Sequence, residues 1–362
     1  MLRSLIQCMK RLRLMLLLPG GWLYGVIMQA RNFLYDQGIR KSYTFDRTVL
    51  SVGNLTIGGT GKTPCIEYLV HLLQPQLATA MLSRGYKRIT QGVKIATPHD
   101  TALTIGDEPL QVYNKFSANP SVKVAVAEDR VQGINQLLAI DPTIDVILLD
   151  DAFQHRSIQP CLNILLTDFN RPFFTDYVLP AGRLRESRKA AQRADVVIVT
   201  KCPNAMPQAT QAYFSHQIYR YCRQHPLPPI FFTRIGYGSP VQVGQGHPMP
   251  LAKHVLLVTG IADSKPLAQH VAQHYHLVQH MAFQDHHAFT PQDIRKILAA
   301  FSQIPYQAKC LLTTEKDSVR LRDPALQPLL QHIPIFYLPI AMAFIAGGEI
   351  FNKLIFEAIR QH

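Results

Sequence analysis

The sequence predicts an α/β fold: a mostly parallel sheet flanked by helices, a second, smaller α/β domain, and an N-terminal helical segment suited to a membrane interface. Three observations carry this expectation. Short, nearly continuous apolar runs alternate with helical stretches along most of the 362 residues, the pattern of parallel strands buried on both faces. A Gly/Pro-rich stretch without periodicity, "YGSPVQVGQGHPMP" at 237–250, interrupts that alternation and reads as a linker. The first 45 residues, basic and apolar together, stand apart from both.

The length suits two domains at roughly 100–200 residues each. Hydrophobic residues make up 47% and charged residues 17%, which excludes a disordered chain. Lys and Arg number 37 against 24 Asp and Glu, a net charge of +13. Anionic partners are therefore expected: nucleic acid, acidic head groups or phosphorylated small molecules. No helix-turn-helix, aromatic sheet motif or zinc site accompanies the charge, so nucleic acid is set aside. The six cysteines form no C-x-x-C and read as buried free thiols.

Residues 1–45 are the first element. Arg3, Lys10, Arg11, Arg13, Arg31, Arg40 and Lys41 face a single acid, Asp36. The uncharged run 14–28 falls short of the ~20 residues a membrane-spanning helix needs, and Pro19-Gly20-Gly21 is expected to break it. No A-x-A-like site follows that would mark a secretory signal. The segment is expected to lie on an anionic membrane surface, with Trp22 and Tyr24 near the head groups and the basic residues on lipid. A helix hairpin packed on the domain is the alternative.

The core domain, 46–236, carries expected strands at 48–52, 78–82, 122–126, 145–149, 162–166 and 196–200. The smaller domain, 251–362, has strand-like runs at 255–258, 310–317 and 335–338, and its last helix, 348–359, fits either domain.

The first core strand runs into "GNLTIGGTGKTP" at 53–64. A phosphate loop reads G-x-x-x-x-G-K-[ST]: backbone N–H groups cradle phosphates, Lys reaches the β/γ-phosphates and Ser/Thr holds Mg²⁺. Gly61-Lys62-Thr63 complete the pattern, but Thr56 stands where the first glycine belongs, with Gly58 and Gly59 inside the loop. The double glycine supplies the permissive backbone instead. Strand precedes and helix follows: "KTPCIEYLVHLLQ" places Ile66, Leu69, Val70 and Leu73 on one stripe. The nucleotide loop is thus Thr56, Ile57, Gly58, Gly59, Thr60, Gly61, Lys62 and Thr63, and the core is P-loop NTPase-like. A partitioning-ATPase loop would carry a lysine where Ile57 stands.

A second metal anchor belongs at a neighbouring strand tip. "DVILLDDAFQH" ends an apolar strand in Asp150 and Asp151, and two adjacent carboxylates make sense beside a cation. Gln154 and His155 follow within a turn and are candidates for the same cleft.

Several stretches in order now resemble the tetraacyldisaccharide 4′-kinase family: "SVGNLTIGGTGKTP" (51–64), "LSRGYKR" (82–88), "IGDEP" (105–109), "LLDDAFQH" (148–155), "LPAGRLRES" (179–187), "VTGIADSKPL" (258–267), "FQDHH" (283–287) and "TTEKD" (313–317). The family's loop likewise lacks the first glycine. The resemblance implies ATP- and Mg²⁺-dependent transfer of the γ-phosphoryl group to the 4′-hydroxyl of an acylated disaccharide already bearing one phosphate. It implies an enzyme at the cytoplasmic face of the bacterial inner membrane, peripheral or N-terminally anchored. By the same resemblance Lys62 and Thr63 hold phosphates and metal, Asp150 and Asp151 complete the metal site, and Asp107 is the base, assisted by His286. Assigned to different domains, these two suggest a cleft that closes. Glu108, Arg185 and Glu186 are further candidates; "TTEKD" takes no role. The rival expectation is a membrane-associated regulatory P-loop ATPase or GTPase without a small phosphoacceptor. "TKCP" (200–203) puts Pro203 where a guanine-reading Asp would stand, which disfavours guanine.

Overall fold

A computed structural model describes residues 2–223, 226–244, 249 and 251–361, with side chains from residue 15 onward. Helix α1 (Leu2–Asp36) opens the chain, followed by β1 (Thr48–Asn54), α2 (Lys62–Leu73) and β2 (Thr79–Ser83). Then come β3 (Lys94–Ile95), α3 (Ala102–Ile105), α4 (Asp107–Phe116), β4 (Val122–Val126), α5 (Arg130–Ile140) and β5 (Val146–Asp150). The middle of the chain is β6 (Leu162–Asp168), β7 (Val196–Thr200), α6 (Gln208–Tyr219) and β8 (Ile230–Tyr237). It continues as β9 (Val241–Gln242), β10 (His254–Thr259), α7 (Lys265–His274), β11 (His276–Ala282) and α8 (Pro291–Gln303). The end is β12 (Lys309–Thr314), α9 (Glu315–Leu321), α10 (Gln327–Leu330), β13 (Ile335–Leu338), β14 (Ile340–Phe344) and α11 (Gly348–Arg360).

The described residues of 1–84, 119–235 and 342–362 form one compact unit, and those of 85–118 and 236–341 form another. In the first, the strands lie in the order β14-β8-β7-β6-β1-β5-β2-β4. β1 sits between β5 and β6, parallel to both, and every one of its residues is buried. That is why "TVLSVGN" shows no polar alternation. Such a sheet gathers its loops at the carboxyl ends of the strands, where α/β sheets bind ligands.

The second unit has a sheet of order β11-β10-β12-β13-β9. Alternate residues of β10 point to opposite faces. Val255 and Leu257 pack with Leu267 and Val271 of α7, while Leu256 and Val258 pack with Ile294, Ile297 and Phe301 of α8. Both faces are covered, so the run stays apolar throughout.

These units do not follow the boundaries expected at 46–236 and 251–362. Residues 85–118 belong with the second unit because α4 is held to α9, for example by Lys115 to Glu315 at 2.8 Å. Residues 342–361 return to the first because Phe351 and Ile355 of α11 are fully buried there. Phe351 meets the rings of Tyr68, Phe231 and Phe344. Of the expected linker, Val241–Gln242 is a strand antiparallel to β13; residues 245–248 and 250 lie outside the described residues. The strand-like run 310–317 turns helical at Glu315.

Pro19-Gly20-Gly21 does not break α1. A Cβ on Gly20 would meet the Pro180 ring at 3.4 Å, and one on Gly21 would meet the Val178 carbonyl oxygen at 3.1 Å. The glycines let the helix lie against the 178–181 loop, and this packing offsets helix-propensity costs of about 1 kcal/mol per Gly and about 3 for Pro. On the opposite stripe Met15, Trp22, Val26 and Phe33 are exposed, Trp22 by 73%. Tyr24 is half-buried on the packed side, away from the stripe that carries Trp22. The side chains of Arg3, Lys10, Arg11 and Arg13 lie outside those described. No helix among the described residues is long and apolar enough to cross a membrane.

Candidate active site

In the first unit β1 delivers the glycine loop. Gly58 has φ +110° and Gly61 φ +87°, the region that disfavours side chains, and Gly61 caps α2. Gly58 thus supplies the freedom that a glycine at position 56 would otherwise give. Thr56 instead pairs across the chain with Leu184 in an isolated bridge, and Ile57 N–H donates to the Arg183 carbonyl at 2.9 Å. Gly53 has a different reason: a Cβ there would lie 2.7 Å from the Phe153 backbone nitrogen.

The loop is braced from β7. Thr200 Oγ1 donates to the Thr60 carbonyl at 2.8 Å, and Lys201 Nζ donates to the Gly59 carbonyl while paired with Asp168 at 2.7 Å. Asn54 Nδ2 donates to Thr60 Oγ1 at 2.7 Å. "TKCP", weighed above as a base-reading motif, therefore holds the phosphate loop in shape.

β5 places the two aspartates beside the loop. Asp150 is buried and its Oδ2 accepts from Ser83 Oγ at 3.0 Å. Asp151, at φ +50°, lies 3.6 Å from Lys62 Nζ and accepts from Arg185 Nη1 at 2.9 and 3.0 Å. Burial alone would raise its pKa, but Lys62 and Arg185 outweigh it and hold the carboxyl below its ordinary range. Gln154 joins the group: its amide donates to the Asn54 carbonyl at 2.9 Å and its oxygen lies 3.4 Å from Arg185 Nη1. Glu186 does not join it. Its carboxylate is fully buried and bound by Arg193 at 3.0 Å and Asn32 at 2.7 Å, a tie between α1 and the core. Hydroxyl and carboxylate oxygens, as offered by Thr63, Asp150 and Asp151, are the donors Mg²⁺ takes.

His155 is half-buried. Burial first, then the charge of Arg130, pulls its imidazole down to about 4. Between about 6.5 and about 4 the unfolded chain therefore takes up a proton that the folded one refuses, so stability falls as pH drops through that window and levels off below it. The loss is at most about 3 kcal/mol. His155→Phe is expected to flatten the urea midpoint across the same range; an unchanged slope would show that other groups cause it.

The second unit holds the other cluster. Asp107 opens α4 and is 7% exposed. His286 Nδ1 lies 2.9 Å from its Oδ2, Arg320 Nη2 pairs with the same oxygen, and Lys316 Nζ stands at 3.7 Å. Oδ1 accepts from the Glu108 N–H at 3.0 Å. Burial would raise the Asp107 carboxyl, but the bond to His286 and the charges of Lys316 and Arg320 hold it far below the usual range. His286 sits at φ +58° with the Tyr86 ring edge-on at 5.4 Å. The pairing of Asp107 with His286, expected above, is present within one unit rather than split between two. Arg320 was not foreseen: its i,i+3 spacing from Asp317 was the one available signal, and it marks a helix pair without pointing to Asp107.

A parallel sheet whose central strand feeds a glycine loop and a Lys-Thr helix start, with aspartates on the adjoining strand, defines a P-loop nucleotide-binding protein. The family model described as tetraacyldisaccharide-1-P 4′-kinase matches residues 13–360. The tetraacyldisaccharide 4′-kinase of Phocaeicola vulgatus is 42% identical over 356 residues, covering 96% of this chain and 95% of that one. That of Bacteroides thetaiotaomicron is 41% identical, covering 96% and 93%. A crystal structure of an "apo" form LpxK from Aquifex aeolicus in complex with ATP superposes with a TM-score of 0.73 at 28% identity, covering 96% of this chain and 99% of that one. This chain belongs to the tetraacyldisaccharide-1-P 4′-kinase family, and it is a kinase.

Proposed function

We propose that the chain transfers the γ-phosphoryl group of ATP to the 4′-hydroxyl of an acylated disaccharide 1-phosphate presented at a membrane surface. The Asp107–His286 contact at 2.9 Å carries this reading. A regulatory nucleotide switch moves partners and needs no acceptor for a substrate proton, whereas transfer to a sugar hydroxyl does.

Lys62 and the loop N–H groups bind the phosphates. Thr63 with Asp150 and Asp151 would hold Mg²⁺, which supplies charge neutralisation on the phosphates. The acceptor oxygen attacks the γ-phosphorus as its proton passes to the pair, and the bond to ADP breaks. The resemblance gives the proton to Asp107 with His286 assisting; we place it on Nε2 of His286, with Asp107 orienting the ring. In support, both Asp107 oxygens already accept hydrogen bonds, and His286 is the more exposed of the two side chains, 20% against 8%.

The exposed stripe of α1 supports docking on an anionic bilayer surface, apolar side chains in the lipid boundary and the +13 charge near the head groups. An acyl chain leaves the bilayer at a cost of about 0.8 kcal/mol per CH₂, so the enzyme goes to the lipid.

Purified protein given labelled ATP and detergent-dispersed disaccharide 1-phosphate is expected to yield a bisphosphorylated lipid. ATP turnover without labelled lipid would overturn the reading in favour of a regulatory ATPase. With anionic vesicles, Trp22 fluorescence is expected to shift to the blue; no shift would remove the interfacial role of α1.

A further inference from the structure

The "TTEKD" segment has no part in the reaction as described so far, yet each of its polar side chains is committed. Thr314 caps α9 by accepting from the Asp317 N–H at 2.9 Å. Asp317, fully buried, accepts from the Gly260 N–H at 2.8 Å and from Arg320 Nη1 at 2.7 Å. Glu315 pairs with Lys115. This scaffold fixes the backbone of Lys316, whose ammonium lies 3.2 Å from His286 Nε2 and 2.8 Å from Glu108 Oε1.

An ammonium has only protons to give. A contact between Lys316 Nζ and Nε2 therefore needs a lone pair on Nε2, which puts the ring proton on Nδ1, facing Asp107 Oδ2 at 2.9 Å rather than the more distant Arg320 Nη2 at 3.4 Å. The groups around the ring are Asp107 and Glu108 from α4, Asp285 at 3.9 Å from Nε2, Lys316 and Arg320 from α9, and Tyr86. A doubly protonated imidazolium could neither accept from Lys316 nor take a substrate proton. Burial would discharge Lys316, but Glu108 and Asp107 outweigh burial and keep it charged.

We propose that Lys316 is a positioning residue for phosphoryl transfer: it keeps Nε2 of His286 unprotonated and available, and remains on Glu108 when the acceptor hydroxyl takes its place. Arg320 complements it by pairing with the same Asp107 oxygen that meets Nδ1. The proposal rests on His286 as proton acceptor. Nothing beyond ATP and the acceptor is consumed: the hydroxyl proton moves to Nε2 as the oxygen–phosphorus bond forms and the bond to ADP breaks, and it leaves to solvent after ADP departs.

The test uses the full-length protein with Lys316→Met, Lys316→Arg and His286→Gln. Lys316→Met is expected to lower kcat about 10–10²-fold, the usual effect of a supporting residue, with KM for ATP unchanged. Lys316→Arg, still a pure donor, is expected to recover most of kcat. Nitrogen-15 NMR of histidine-labelled protein, with His286 assigned by difference from His286→Gln, is expected to show Nε2 bare in the wild type and protonated in Lys316→Met. Wild-type kcat in Lys316→Met, or lost kcat with Nε2 still bare, overturns the role of Lys316. Undiminished turnover in His286→Gln overturns the acceptor assignment beneath it. Should Lys316→Met unfold, Glu108→Gln loosens the same ammonium and is expected to shift the same signal.

Discussion

Asp107→Asn is expected to lower turnover by about 10²–10⁴-fold, the span of general acid–base contributions, while ATP binding is retained. The amide keeps the shape of the carboxylate but offers no charge to orient the Nδ1 proton, so the imidazole is free to present the wrong nitrogen, as a triad does when its Asp becomes Asn. The substitution also takes a counter-charge from Arg320, whose side chain is 7% exposed. Breaking a buried pair costs up to about 3–5 kcal/mol, here reduced because Asp317 still holds Arg320 at 2.7 Å. Single-turnover kinetics well below the unfolding midpoint separate the two effects. If Asp107→Asn abolishes nucleotide binding in a folded protein, Asp107 is a structural or metal-binding group and the acceptor pair is wrong.

Lys62→Ala is expected to cost at least about 10²-fold in turnover, the range lost with one electrostatic donor to the transition state. The lysine is 11% exposed and paired with Asp151 at 3.6 Å, so it is not the unpartnered loop residue that the motif alone suggests. Its loss leaves Asp151 on Arg185, and the unfolding midpoint is expected to move little. Near-normal transfer by this variant would remove the loop from the reaction. A fall in ATP affinity with unchanged kcat would give Lys62 a role in ground-state binding alone.

The parts legible in the sequence are those whose physics is local. A cradle of backbone N–H groups is built from consecutive residues, so "TIGGTGKT" announces itself despite Thr56. Strands buried on both faces need no partner to be recognised, and β1, β5 and β7 stand where their apolar runs lie. Asp150 and Asp151 follow from the same logic, as adjacent charges at a strand tip. The lack of C-x-x-C already indicated free thiols: Cys65, Cys202, Cys222 and Cys310 are buried and unbridged, while Cys161 is free but only half-buried, and burial pushes the Cys65 thiol up.

What tertiary structure alone decided is which distant residues share a charge or a surface. Asp107 and Arg320 are 213 residues apart, and no spacing rule links them. Glu186 resembled a site residue by its place in "LRES" and proved to be a buried tie to Asn32 and Arg193, because only packing determines which carboxylates lose their water. Residues 85–118 and 342–361 moved to units that linear order does not assign them, drawn by α4 onto α9 and by Phe351 into an aromatic cluster. The helix through Pro19-Gly20-Gly21 persists because its glycines meet a loop some 160 residues away. Propensity and motif are properties of neighbours along the chain; burial and ion pairing belong to neighbours in space, and in this protein the Asp107–His286 pair depends on the second kind.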